Sequence, residues 1–168
     1  MHMRVFILIV TFAVLVSGCS EKQFRQSGSS AMSPSIQPNE TVVADMSAFR
    51  KSGPQRWDAV VFHPPSKQTS TPQQEIWVMR VIGLPGESLE IREDGIYIDG
   101  RREAQPERIA GIRYVANVPH APQSGVAYPY KIAPDTYFLV GDNTTNSFDS
   151  RFWGSLSRQS ILGRVKNK

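Results

Sequence analysis

The stretch Val78-Met79-Arg80-Val81-Ile82-Gly83-Leu84-Pro85-Gly86-Glu87 decides how the chain is read. Its first half continues from Glu75 as an apolar run too short for a helix, and it reads as a strand over Glu75–Ile82. Leu84-Pro85-Gly86 then turns the chain, because proline presets one backbone angle and glycine tolerates the next. The same signals recur on both sides. Thr41–Asp45 is β-branched and apolar, and Asp58–Phe62 stops at His63-Pro64-Pro65. Ser66–Gln74 reads as a loop. Ser88–Arg92 and Gly95–Ile98 form a predicted hairpin, with Asp99-Gly100 as a second turn signal. Tyr137–Val140 and Ile161–Val165 are the last strands, and Ser157–Ile161 has room for one helical turn. The predicted fold is mainly β, a coiled β-sheet sandwich. A small irregular β subdomain is expected over residues 101–135, with one or two edge strands.

The chain has 168 residues, enough for one domain with its own core. Apolar content is 40% and charged content 20%, both ordinary for a globular protein. The net charge of +4 comes without a long basic run or a nucleic-acid motif. That balance suits an anionic membrane face better than nucleic acid, and suits a plain soluble surface equally. Neither a metal nor a cofactor is expected. Cys19 is the one cysteine, so no intramolecular disulfide forms.

Met1–Arg4 is basic, Val5–Val16 is an apolar run of twelve residues, and Val16-Ser17-Gly18-Cys19 follows. A membrane span needs roughly 20 residues, so the run reads as a signal-peptide core. The ending resembles the lipobox of bacterial lipoproteins, in which the cysteine takes the lipid, with Val16 where that pattern prefers leucine. Ser20 stands where aspartate would retain a lipoprotein at the inner membrane, so the resemblance favours the outer one. An uncleaved anchor is the competing reading of the same residues. The division is a signal peptide over 1–18, a polar tether over 19–28 and a folded domain over 29–168. The domain is then held outside the cytoplasm, in the cell envelope.

Four tracts share one template: Ser29–Ile36 (SSAMSPSI), Trp57–Phe62 (WDAVVF), Val78–Glu87 and Gly141–Gly154 (GDNTTNSFDSRFWG). Together they resemble bacterial type I signal peptidase, a membrane-bound serine endopeptidase with a Ser/Lys dyad. Met32 and Pro34 align the first tract with the family's S-x-S-M-x-P, which puts Ala31 at the nucleophile. The third tract matches K-R-V-I-G-L-P-G-D, which puts Met79 at the general base. By the same resemblance Ser29 contributes to the oxyanion hole and Ser147 orients the base. Asp142 pairs with Arg80, and Asp149 with Arg151.

In such a dyad a serine hydroxyl attacks the carbonyl and a neutral lysine takes its proton. Alanine has no hydroxyl and methionine no amine. Both substitutes fit the space, methionine having nearly the length of the lysine stem without an amine to desolvate. The expectation is a catalytically silent homologue that still binds an extended peptide or signal peptide by strand addition. Its partners would be secreted or pilus-type subunits, and lipid through Cys19. An active signal peptidase is the alternative. Ser30 is not expected to substitute, because neighbouring side chains of an extended segment face opposite ways. His63 and His120 read as exposed loop residues, and Trp77 and Trp153 as packing or membrane-facing.

Overall fold

A computed structural model describes residues 20–25, 28–65, 75–117 and 125–168. Cys19, the expected loop over 66–74 and His120 lie outside the described residues. Among the described residues eleven strands form two antiparallel sheets. The larger runs β1 (Glu21–Arg25), β2 (Thr41–Asp45), β11 (Ile161–Val165), β3 (Ala59–Phe62), β4 (Trp77–Gly83), β9 (Thr136–Val140), β10 (Leu156–Ser157) from edge to edge. The smaller runs β7 (Arg101–Arg102), β6 (Gly95–Ile98), β5 (Ser88–Arg92), β8 (Tyr130–Lys131).

Two cores flank the central strands. The first gathers Met32, Ile36, Val60, Phe62, Met79, Val81 and Leu139. The second lies between the sheets and joins Ile82, Phe138 and Val140 to Leu89, Ile91, Ile96 and Ile98. β4 and β9 therefore bury both faces, which explains why their sequences run apolar instead of alternating. In β5 and β6 alternate residues are buried, and there the alternation is plain.

The expected tether is not one. Glu21–Arg25 pairs residue for residue with β2, from Glu21 opposite Asp45 to Arg25 opposite Thr41. Only Phe24 packs toward the core, so the segment is polar in composition yet held by backbone hydrogen bonds. The 101–135 segment does contribute edge strands, but its sheet recruits the β5–β6 hairpin from before it. A short helix, α1 (Ser150–Trp153), lies inside the Gly141–Gly154 tract, capped by the Asp149 carboxylate. The expected turn near Ser157 is a 3-10 turn over Arg158–Ser160. His63 is half-buried, not exposed, with ring Nδ1 2.9 Å from the Glu75 carbonyl. Trp77 and Trp153 both pack on Phe62, at centroid distances of 6.3 and 6.5 Å.

Candidate functional site

Ala31 sits in a loop whose buried Met32 and Ile36 plug it into the first core. Ile36 N–H donates to the Met32 carbonyl (2.9 Å) and Ser33 N–H to the Ser30 carbonyl (3.0 Å), which curls the loop. Pro34 is exposed, and its carbonyl accepts from Gln37 Nε2 at 3.2 Å. The Ser29 hydroxyl accepts from the Ala31 N–H at 3.3 Å.

The tract leaving β9 forms the facing wall. Asn143 N–H donates to the Ala31 carbonyl at 2.9 Å, and Asn143 Nδ2 to the Ser30 carbonyl at 3.2 Å. Asn146 Nδ2 holds the Ser30 hydroxyl at 2.8 Å. Gly141 has to be glycine: a Cβ there would run into the Ser147 hydroxyl and the Ala31 carbonyl.

Met79 approaches the same point from β4. Arg80 pairs with Val140 at the end of the ladder, and Met79 and Gly141 are the next residues of the two segments. Directly opposed residues share a face. The alternation agrees, since Met79, Val81, Tyr137 and Leu139 all enter the first core while Ile82, Phe138 and Val140 enter the second. Ala31 and Ser147 thus meet over Gly141, and Met79 lies on the first-core face of the neighbouring strand.

Ser147 is 6% exposed, and its hydroxyl is buried without a hydrogen-bond partner among the described residues. A methionine thioether is only a weak acceptor. A buried, unsatisfied hydroxyl costs about 1–3 kcal/mol, and such groups are rare enough to need a reason.

Two buried ion pairs frame this point. Arg80 is forked onto Asp142, Nε–Oδ1 at 2.8 Å and Nη2–Oδ2 at 2.6 Å, with no exposed side-chain surface on either partner. Arg80 Nη1 also donates to the Trp57 carbonyl (2.9 Å) and Nη2 to the Ser35 hydroxyl (3.3 Å). Burial opposes the guanidinium charge, but the hydrogen bonds and charge of Asp142 outweigh it and raise the Arg80 pKa. Arg151 is forked onto Asp149, Nε–Oδ1 at 2.8 Å and Nη2–Oδ2 at 2.7 Å. Asp149 also accepts from the Gly141 N–H at 3.1 Å, so this pair positions the glycine.

Several contributors carry no sequence signal. The Tyr114 hydroxyl donates to Asp142 Oδ1 at 2.9 Å. Burial first, and the Asp142 charge second, push the Tyr114 pKa upward and keep the phenol neutral. Thr144 Oγ1 donates to the Arg113 carbonyl, and Arg151 Nη1 to the Val115 carbonyl, both at 2.9 Å. Residues 113–115 are therefore stitched along the back of the 142–151 tract. Trp57 adopts φ 72°, costly for a bulky residue, and its carbonyl also accepts from Arg108 Nη2 at 3.1 Å.

Comparison with known proteins decides the family. The family model described as "Signal peptidase, peptidase S26" matches residues 1–168. The chain belongs to the type I signal peptidase family. It is 30% identical over 159 residues to a Synechocystis protein named "Probable signal peptidase I-2", covering 94% of this chain and 68% of that one. Against "Signal peptidase I" of Leptolyngbya laminosa the identity is 33% over 139 residues, 82% of this chain and 63% of that one. Against "Signal peptidase I V" of Bacillus subtilis it is 27% over 165 residues, 96% of this chain and 93% of that one. A solved signal peptidase I from Enterococcus faecalis V583 is 30% identical, with a TM-score of 0.49 over 67% of this chain and 97% of that one. In this signal peptidase homologue the polar frame is in place, while the side chains at 31 and 79 carry neither oxygen nor nitrogen.

Proposed function

We propose that this chain is a catalytically silent signal peptidase homologue, held at the cell-envelope membrane outside the cytoplasm, that binds an extended peptide without cutting it. The observation that supports the reading is the buried Ser147 hydroxyl, which has no hydrogen-bond partner among the described residues, in a site where Ala31 and Met79 carry no amine or hydroxyl. Its setting suits a hydroxyl that orients an amine, and the side chain across from it offers none. Loss of the nucleophile or base of a serine protease lowers the rate about a millionfold. Ser30 is given no catalytic role in this reading, and its hydroxyl accepts from Asn146 Nδ2 at 2.8 Å.

The binding half of the reading is supported by an open strand edge. Among the described residues β9 pairs with β4 only from Arg80 onward. The backbone of Trp77 and Val78 is thus free on that side, next to Met79, for an added strand. The ligand is the signal peptide of a secreted or pilus-type protein presented to an assembly machine. Lipidation of Cys19 attaches the domain, at the outer membrane by the residue that follows.

Titrating the purified chain with a synthetic signal peptide tests this. Saturable binding is expected with the peptide recovered intact. A peptide that is ignored sinks the binding reading, and a peptide cleaved after a small residue makes the chain an active signal peptidase.

A further inference from the structure

We propose that one corner of the large sheet, built from Ser20, Lys22 and the turn over 46–51, docks on an anionic phospholipid surface. The proposal rests on reading residues 1–19 as a membrane-targeting segment. Pairing leaves no slack after that segment. The Ser20 carbonyl accepts from the Met46 N–H at 2.9 Å, Glu21 opposes Asp45 and binds Lys166 at 2.5 Å. Whatever enters the bilayer before Ser20 therefore brings this corner to the headgroups with it.

The corner has the charge for that contact. Lys22, Arg50 and Lys51 are exposed, and among the described residues none has a carboxylate within ion-pair distance. Asp45 is turned onto its own turn, accepting from Ser47 Oγ at 2.7 Å and Ser47 N–H at 2.8 Å. Two successive turns, Ala48 N–H to the Asp45 carbonyl and Arg50 N–H to the Ser47 carbonyl, present Arg50 and Lys51 beside the strand end. Three free cations near an anionic surface attract it by about fivefold in affinity each, and salt screens the effect. β1 then acts as a strut: its far end, Arg25, lies roughly 17 Å along the strand from Ser20.

The test uses the full chain on vesicles of phosphatidylcholine, with or without phosphatidylglycerol. Flotation first reports attachment; a chain that floats with neither vesicle refutes the membrane-targeting reading and the docking with it. An amine-reactive, membrane-impermeant label then reads Lys22 and Lys51 against Lys131, an exposed lysine of the other sheet. Labelling of Lys22 and Lys51 is expected to slow several-fold relative to Lys131 on anionic vesicles only. High salt and Arg50→Glu should both remove the protection. Equal labelling ratios on the two vesicle types overturn the proposal, whether or not the chain binds signal peptide.

Discussion

Replacing Ser147 with alanine should stabilise this protein. Its hydroxyl is buried and makes no hydrogen bond to the described residues, so its removal takes away a desolvation cost of about 1–3 kcal/mol and loses no partner among them. The oxygen leaves a void of roughly 15 Å³, which costs about 0.4 kcal/mol. The net gain is about 0.6–2.6 kcal/mol, or roughly 1–10 °C in Tm for a domain of this size. Ser150→Ala, three residues away, is the matched control. The Ser150 hydroxyl is equally buried but accepts from the Leu139 N–H at 3.0 Å, so its loss should destabilise by about 1–3 kcal/mol. The same chemical change then has opposite signs at the two positions, which urea melts resolve. In a Met79→Lys background Ser147 gains an amine to bind, and Ser147→Ala should become destabilising. Destabilisation by Ser147→Ala in the unaltered chain would show that the hydroxyl has a partner, and would remove the observation on which catalytic silence rests.

Asp142→Asn should destabilise by about 3–5 kcal/mol, because it leaves the fully buried Arg80 guanidinium without its counter-charge; a loss below 1 kcal/mol in urea melts would contradict this. Alkaline pH should unfold the protein through its tyrosines. The folded pKa of Tyr114 is raised above its usual 10.0, so its share of stability is full below pH 10 and falls as pH rises past that value, where the unfolded chain releases the proton first. Tyr128 is raised by burial in the same way. Tyr114→Phe should therefore flatten the alkaline limb of a Tm-against-pH curve, and an unchanged limb would contradict the burial argument.

The strands legible in the sequence are those with local signals. TVVAD, SLEIR and GIYI show alternation or sit between turn residues, and their limits agree with the structure. β1 was not legible, since EKQFR carries one apolar residue facing the core and its stability comes from pairing with a strand sixteen residues on. The capped turn at Ser150–Trp153 was hidden because Asp-Ser-Arg serves turns and helix starts alike. Ala31, Met79 and the two Asp/Arg pairs were singled out by the resemblance of the tracts to the signal peptidase patterns. Tyr114 does not, because a tyrosine in a proline-bearing segment has no periodic or motif context, and only folding brings it to Asp142. The orphaned state of Ser147 is likewise invisible in sequence, because it depends on which atoms surround one oxygen.

The central claim is that the cleft holds a peptide and lacks the atoms to cut it. A four-way cleavage assay on a preprotein tests it most directly, comparing the chain as written with Ala31→Ser, Met79→Lys and the two together. Product is expected from the double variant alone, with both single variants at background. A new N-terminus generated by the unaltered chain would contradict the account.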